Sequence, residues 1–214
     1  MTVAQTSLTA VARATVARRG KRLSRLTLLY NAGEGIAALV AGVLAGSTAL
    51  VGFGIDSVIE VISSVAALWR LQRDADPVER ARAERVTHRI IGGCFVALAA
   101  YIAFEATHGL LMHQAPARTL AGVIITALSV VVMPLLARAK RGVAITLGSR
   151  ALLSDATQTN LCAYLSAIVL AGVLLHILFG WWWADPVAAL LMVPIIAKEG
   201  IEGLRGDATC ATCA

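Results

Sequence analysis

Six long apolar runs limit what this chain can fold into. They cover residues 26–44, 48–69, 90–112, 119–137, 152–179 and 181–197. A helix needs about 20 mainly apolar residues to cross the hydrocarbon core of a bilayer. Hydrophobic residues make up 58% of the chain and charged residues only 15%, whereas about a quarter of the residues in a soluble domain are charged. The sequence therefore predicts an all-α, polytopic membrane protein with six transmembrane helices.

The distribution of positive charge predicts how these helices are oriented. Of the 19 Lys and Arg residues, all but Arg118 lie before the first run, between runs two and three, between runs four and five, or after the sixth. Cytoplasmic segments are enriched in Lys and Arg. We therefore expect both termini in the cytoplasm, with a basic segment 1–25, a six-helix transmembrane domain 26–197 and a short tail 198–214. These charges flank the spans and do not form one basic face, which argues against a nucleic-acid partner.

Two acidic residues in the second run carry the strongest local signal. Asp56 and Glu60 are four residues apart, which places both carboxylates on one helix face within reach of one bound ion. Two carboxylates this close in a low dielectric repel each other, so one should hold a proton unless a cation lies between them. Metal binding and proton release would then be linked. The alternative is a structural polar patch that bonds to Ser57, Ser63 or Ser64 across helices.

A second polar stripe lies in the fifth run. Asp155, Gln158, Thr159 and Cys162 have spacings of three, four and seven, so they share one helix face. This stripe can complete an ion site, although Gln, Thr and Cys equally well serve packing between membrane helices. Oxygen ligands suit hard cations, whereas a thiolate shifts the preference toward zinc, cadmium or cobalt.

Other polar residues give weaker signals. Glu34 and Asn31, near the start of the first run, are placed to form an ion entrance or a proton relay. The tail contains Cys210 and Cys213, and this Cys-x-x-Cys supplies only two of the four ligands of a closed zinc site. Such thiols either transfer thiophilic metal ions or belong to a disordered end.

Motifs of catalysis and of export signals are not found. We see no Ser-His-acid arrangement, no phosphate-binding glycine loop and no His-Glu-x-x-His pattern, so we do not expect an enzyme. The first 25 residues lack an apolar core followed by a cleavage site, so no cleaved signal peptide is expected.

Three short segments resemble the cation diffusion facilitator transporters. They are residues 46–50 (Gly-Ser-Thr-Ala-Leu), 54–60 (Gly-Ile-Asp-Ser-Val-Ile-Glu) and 151–155 (Ala-Leu-Leu-Ser-Asp). The six-span layout also agrees, so the similarity covers residues 26–197. The resemblance implies a dimeric exporter that exchanges a divalent metal, often zinc, for protons. It also implies a four-ligand site, with two acidic or histidine residues on span two and two on span five.

Carried onto this sequence, the ligand pattern fits span two better than span five. The span-two pair corresponds to Asp56 and Glu60. The family's His-x-x-x-Asp of span five would fall on Gln158 and Cys162, and Asp155 is one turn earlier, where it can substitute as the carboxylate. A second departure is that about seventeen residues follow the last span, so the usual C-terminal cytoplasmic domain is expected to be absent.

The sequence thus leads to one functional hypothesis and one alternative. The first is a divalent-metal exporter, a metal/proton antiporter of a bacterial plasma (inner) membrane. It would form a homodimer and bind its ion at Asp56, Glu60, Asp155, Gln158, Cys162 and Glu34. Zinc is the expected substrate, with cadmium, cobalt, manganese or iron as alternatives, and no permanently bound cofactor is expected. The alternative is a non-transporting metal sensor or partner subunit of another membrane protein.

Overall fold

In the computed structural model, residues 9–45, 48–113 and 120–205 are described, and within these ranges the regular structure is entirely helical. This confirms the predicted all-α class. The described residues form six helices: α1 (Ala10–Ala45), α2 (Thr48–Gln72), α3 (Pro77–Leu111), α4 (Leu120–Leu147), α5 (Arg150–Phe179) and α6 (Ala184–Arg205).

Helix length and surface composition suit a bilayer. Helices α1 to α4 each contain a stretch that is long and apolar enough to cross a membrane. With a rise of about 1.5 Å per residue, the 36 residues of α1 extend about 54 Å, well beyond a hydrocarbon core of about 30 Å. Large apolar side chains such as Leu29, Phe104 and Leu120 are exposed, while Ser57 and Ser63 are fully buried. Apolar groups outside and polar groups inside are the arrangement that a lipid surrounding favours.

Local sequence signals explain several helix ends. Asp76 caps α3, because its carboxylate accepts hydrogen bonds from the backbone N–H groups of Val78 and Glu79, and Pro77 occupies the first helical position. Gly180, with φ +72°, follows the last residue of α5 in the left-handed conformation that glycine adopts readily. Helix α1 begins at Ala10, so most of the basic segment 1–25 continues the first span as helix.

The helices pack mainly in three pairs: α1 with α2, α3 with α6, and α4 with α5. In the α3–α6 pair the two backbones touch. A Cβ atom added to Gly92 would lie 2.7 Å from the carbonyl carbon of Gly203, so a larger residue there would force the helices apart. Small residues at such crossings are a common feature of membrane helix packing.

A network of ion pairs, here called the ionic network, joins the helices at one end of the bundle. It contains Arg13, Arg70, Asp74, Glu84 and Ser149. Asp74 accepts hydrogen bonds from Arg13 and Arg70, and Glu84 accepts from Arg70 and from the Ser149 hydroxyl. Burial alone would raise the pKa of Asp74, but the hydrogen bonds from the two guanidinium groups outweigh burial and hold that pKa below its usual value. The network therefore ties α1, α2, α3 and the start of α5 together.

Candidate metal-binding site

The site begins with a polar face on α2. Asp56 and Glu60 stand one turn apart, and Ser63 and Ser64 continue the same face toward the end of the helix. All four side chains are buried, and Glu60 is only 1% exposed. The sequence produces this face because its polar residues recur at helical spacing within an otherwise apolar run.

Helix α5 presents the matching face. Asp155, Gln158, Thr159 and Cys162 are all buried, as their shared spacing predicts. The Cys162 thiol lies beside the carboxylates of Asp56 and Glu60. The structure thus brings the acidic pair of α2 and the polar stripe of α5 into one region of the bundle interior.

Glu34 of α1 faces the same region. One carboxylate oxygen accepts a hydrogen bond of 3.1 Å from the Tyr30 hydroxyl, and the other lies 3.5 Å from the Ser57 hydroxyl. Both Asp56 and Glu60 are close enough to act on Glu34 electrostatically. Asn31, three residues earlier, is fully buried. Three carboxylates from α1 and α2 therefore share one interior space.

Several buried polar atoms of this region make no hydrogen bond of standard geometry to any other described residue. They are Asp56 Oδ2, both carboxylate oxygens of Glu60, Asp155 Oδ1, and both amide atoms of Gln158 and of Asn31. An unsatisfied buried polar group costs about 1 to 3 kcal/mol, and a charged group costs more. A bound cation or ordered water molecules would satisfy atoms of this kind.

Lys140 of α4 also belongs to this region, and the sequence reasoning did not identify it. Its ammonium lies 3.0 Å from Asp155 Oδ2 and donates hydrogen bonds of 3.0 Å to the Thr159 hydroxyl and 3.4 Å to the Ser64 hydroxyl. The side chain is 4% exposed. The charge count treated Lys140 as a cation outside the spans, because the fourth apolar run ends at 137.

A signal for Lys140 does exist in the sequence. The buried face of α4 recurs every three to four residues at Thr126, Ser129, Met133, Ala137 and Lys140. Extending that face by one turn past the apolar run places Lys140 inside the bundle.

The acidic residues do not form a closed cage. Within the described part of the chain, no group of three or more His, Cys, Asp or Glu side chains is arranged to hold a metal ion. Asp155 is paired with Lys140 instead of with the acids of α2. An ion bound to several of these residues would therefore require side chains to move. Cys210 and Cys213 lie outside the described residues.

Comparison with known proteins identifies the family. Residues 24–206 match the family model described as the cation efflux transmembrane domain. A search of curated proteins gave no significant match. The family match spans most of the 214 residues and includes Asp56, Glu60 and the α5 stripe. Members of this family are transporters and not enzymes. The chain therefore belongs to the cation efflux family, the cation diffusion facilitators, and is an integral membrane protein that transports cations.

Proposed function

We propose that this protein exports a divalent metal cation in exchange for protons, with Asp56 and Glu60 at the centre of the ion site. The observation that supports this most is the pair of buried carboxylates on α2, three of whose four oxygens accept no hydrogen bond of standard geometry from the described residues. Carboxylates that share protons without an ion must release them when a divalent cation binds. Ion binding would thereby be coupled to proton release.

The surrounding ligands favour zinc as the substrate. Asp56 and Glu60 supply hard oxygen atoms, and the neighbouring Cys162 supplies a soft sulfur atom. Mixed oxygen and sulfur ligands fit zinc, cadmium and cobalt better than magnesium or calcium. Gln158 would add a neutral oxygen from α5, and Glu34 would relay protons or ions between the site and one membrane face.

The proposed topology has all six helices crossing the membrane and both termini in the cytoplasm. The positive-inside bias supports this orientation, because the ionic network and most Lys and Arg residues would then lie on the cytoplasmic side. We place the protein in a bacterial inner membrane as a homodimer. The family resemblance supports both proposals, and alternating access would follow from movement of helix pairs around the central site.

A flux measurement tests this function. Purified protein would be reconstituted in vesicles that contain a zinc-sensitive dye, with a pH gradient imposed across the membrane. We expect zinc flux that depends on the gradient and falls at least about tenfold in Asp56→Asn and Glu60→Gln, because each change removes a charged ligand. Glu202→Gln is the matched control, since Glu202 pairs with Lys198 at 3.9 Å near the end of α6. Equal flux in all variants would overturn the assignment.

The same assay addresses the alternative of a metal sensor or partner subunit. This alternative is favoured by the neutral side chains of Gln158 and Cys162 and by the pairing of Asp155 with Lys140, which all reduce the negative charge of the site. Zinc binding that requires Asp56, with no flux in vesicles, would support the sensor. Gradient-driven flux by the purified protein alone would reject it as the main role.

A further inference from the structure

Lys140 is a buried lysine inside the site, and the proposed ion exchange gives it no role. Its ammonium has three N–H donors, and the structure gives it three oxygen partners, on Ser64, Asp155 and Thr159. Glu60 also lies within its electrostatic reach. The ammonium thus connects α4 to the polar faces of α2 and α5.

This position puts the ammonium in competition with any other cation. Asp155 Oδ2 is already neutralised at 3.0 Å, and Glu60 faces the same positive charge. A divalent cation that approaches these carboxylates is repelled by Lys140 at short range, in a region where water screens charges poorly. The cation can use the full negative charge of the site only if the lysine side chain withdraws.

We propose that Lys140 is a tethered competitor of the transported cation. It neutralises Asp155 and faces Glu60 while no ion is bound, and it moves away from both carboxylates when a divalent cation binds. This inference rests on the proposed function, because it assumes that Asp56 and Glu60 bind the substrate. Lys140 is therefore a positioning residue, which sets the affinity through the carboxylates and is not itself a ligand.

The competition has a consequence for transport. A buried carboxylate without a counter-ion is costly, so the ammonium stabilises the ion-free protein during its return step. It also weakens ion binding and thereby speeds release. Removing the charge should tighten binding and slow the cycle, so that KM and the maximal rate both fall.

Zinc binding and flux in matched variants test the proposal. Binding of ZnCl2 would be measured by calorimetry on protein in lipid nanodiscs. We expect Lys140→Met to lower the Kd for zinc at least about tenfold, because a short-range repulsive charge is lost. Lys140→Arg keeps the positive charge and therefore its repulsion of the metal ion, so its Kd for zinc should remain within about threefold of the native value. Lys198→Met is the control for loss of a lysine, as Lys198 is 66% exposed.

A second comparison covers the case in which Lys140→Met does not fold. In Asp155→Asn the buried carboxylate is gone, and the double variant Lys140→Met/Asp155→Asn removes both charges together. The proposal expects the double variant to bind zinc more tightly than Asp155→Asn alone. A merely structural ion pair predicts that every one of these variants binds zinc as tightly as the native protein or less tightly.

The outcomes separate the inference from the function on which it rests. If native protein binds zinc and Asp56→Asn does not, but removing Lys140 leaves the Kd unchanged or raises it, the competitor role is wrong and the proposed function stands. If native protein shows no zinc binding that requires Asp56, the proposed function is wrong and the inference fails with it. A tighter Kd together with a lower maximal flux in Lys140→Met supports both.

Discussion

Arg70 should be the most sensitive position of the ionic network. Its side chain is 2% exposed and contacts two carboxylates, with Nη1 on Asp74 and Nε 2.6 Å from Glu84. Arg70→Met removes the cation and leaves both acids in place. Removing one partner of a buried ion pair costs about 3 to 5 kcal/mol, because the remaining charge is left uncompensated.

The remaining contacts place Arg70→Met at the lower end of that range. Asp74 keeps the Arg13 guanidinium at 2.9 Å, and Glu84 keeps the Ser149 hydroxyl and the backbone N–H of Ala151. We therefore expect a loss of about 3 kcal/mol in the free energy of unfolding. For a chain of about 200 residues, each kcal/mol shifts Tm by about 2 to 4 °C, which gives a decrease of about 6 to 12 °C.

Thermal unfolding of detergent-purified protein would measure this decrease. Arg70→Lys keeps the charge but cannot direct separate donors to two carboxylates, so its Tm should lie between those of the native protein and Arg70→Met. Lys198→Met removes an exposed cation and should shift Tm by less than about 2 °C. If Arg70→Met unfolds at the same temperature as Lys198→Met, the view that buried pairing holds this end of the bundle together is refuted.

Two further predictions concern stability. Because the folded-state pKa of Asp74 is lowered, its ionised form adds stability that is complete above the unfolded pKa of about 3.9 and is lost as pH falls through the folded pKa. Asp74→Asn should therefore lower Tm at pH 7 and make Tm less sensitive to acid below about pH 4. An unchanged dependence of Tm on acid would contradict this. Gly92→Ala should lower the free energy of unfolding by about 1 to 3 kcal/mol through its clash with Gly203, measured as a decrease in Tm. Gly93→Ala, with nothing within 4 Å of the added Cβ, should be neutral or stabilising. Equal effects of the two changes would show that the α3–α6 contact is not tight.

Local signals in the sequence account for several features of the fold. The cap of α3 follows from Asp76 and Pro77 in adjacent positions, and the end of α5 follows from Gly180, since each depends on backbone chemistry within one turn. The buried faces of α2 and α5 follow from residue spacing for the same reason. Apolar runs locate the helices, but they do not locate helix ends, because a helix continues into water wherever capping and propensity allow. Helix α1 accordingly begins well before residue 26.

Relations between helices were much less accessible to sequence reasoning. Spacing within one helix states which residues share a face, but it does not state which face of another helix lies opposite. The proximity of Cys162 to Asp56 came from the family resemblance and not from periodicity. Lys140 was missed because a lysine next to other basic residues is typical of a loop between spans. Only its partner Asp155, on another helix, shows why Lys140 is buried.

The pairing of Lys140 with Asp155 also bears on how the chain enters the membrane. Lys140 follows the apolar part of α4, and Asp155 lies near the start of α5. A charged side chain at the centre of a bilayer costs about 2.5 to 3.5 kcal/mol to insert. Only residues 148 and 149 separate α4 from α5, so the two helices can meet before either is released into lipid. With the charges neutralised against each other, most of that cost disappears. Helices α4 and α5 are therefore expected to enter the membrane as one helical hairpin, in which Lys140 and Asp155 pair early.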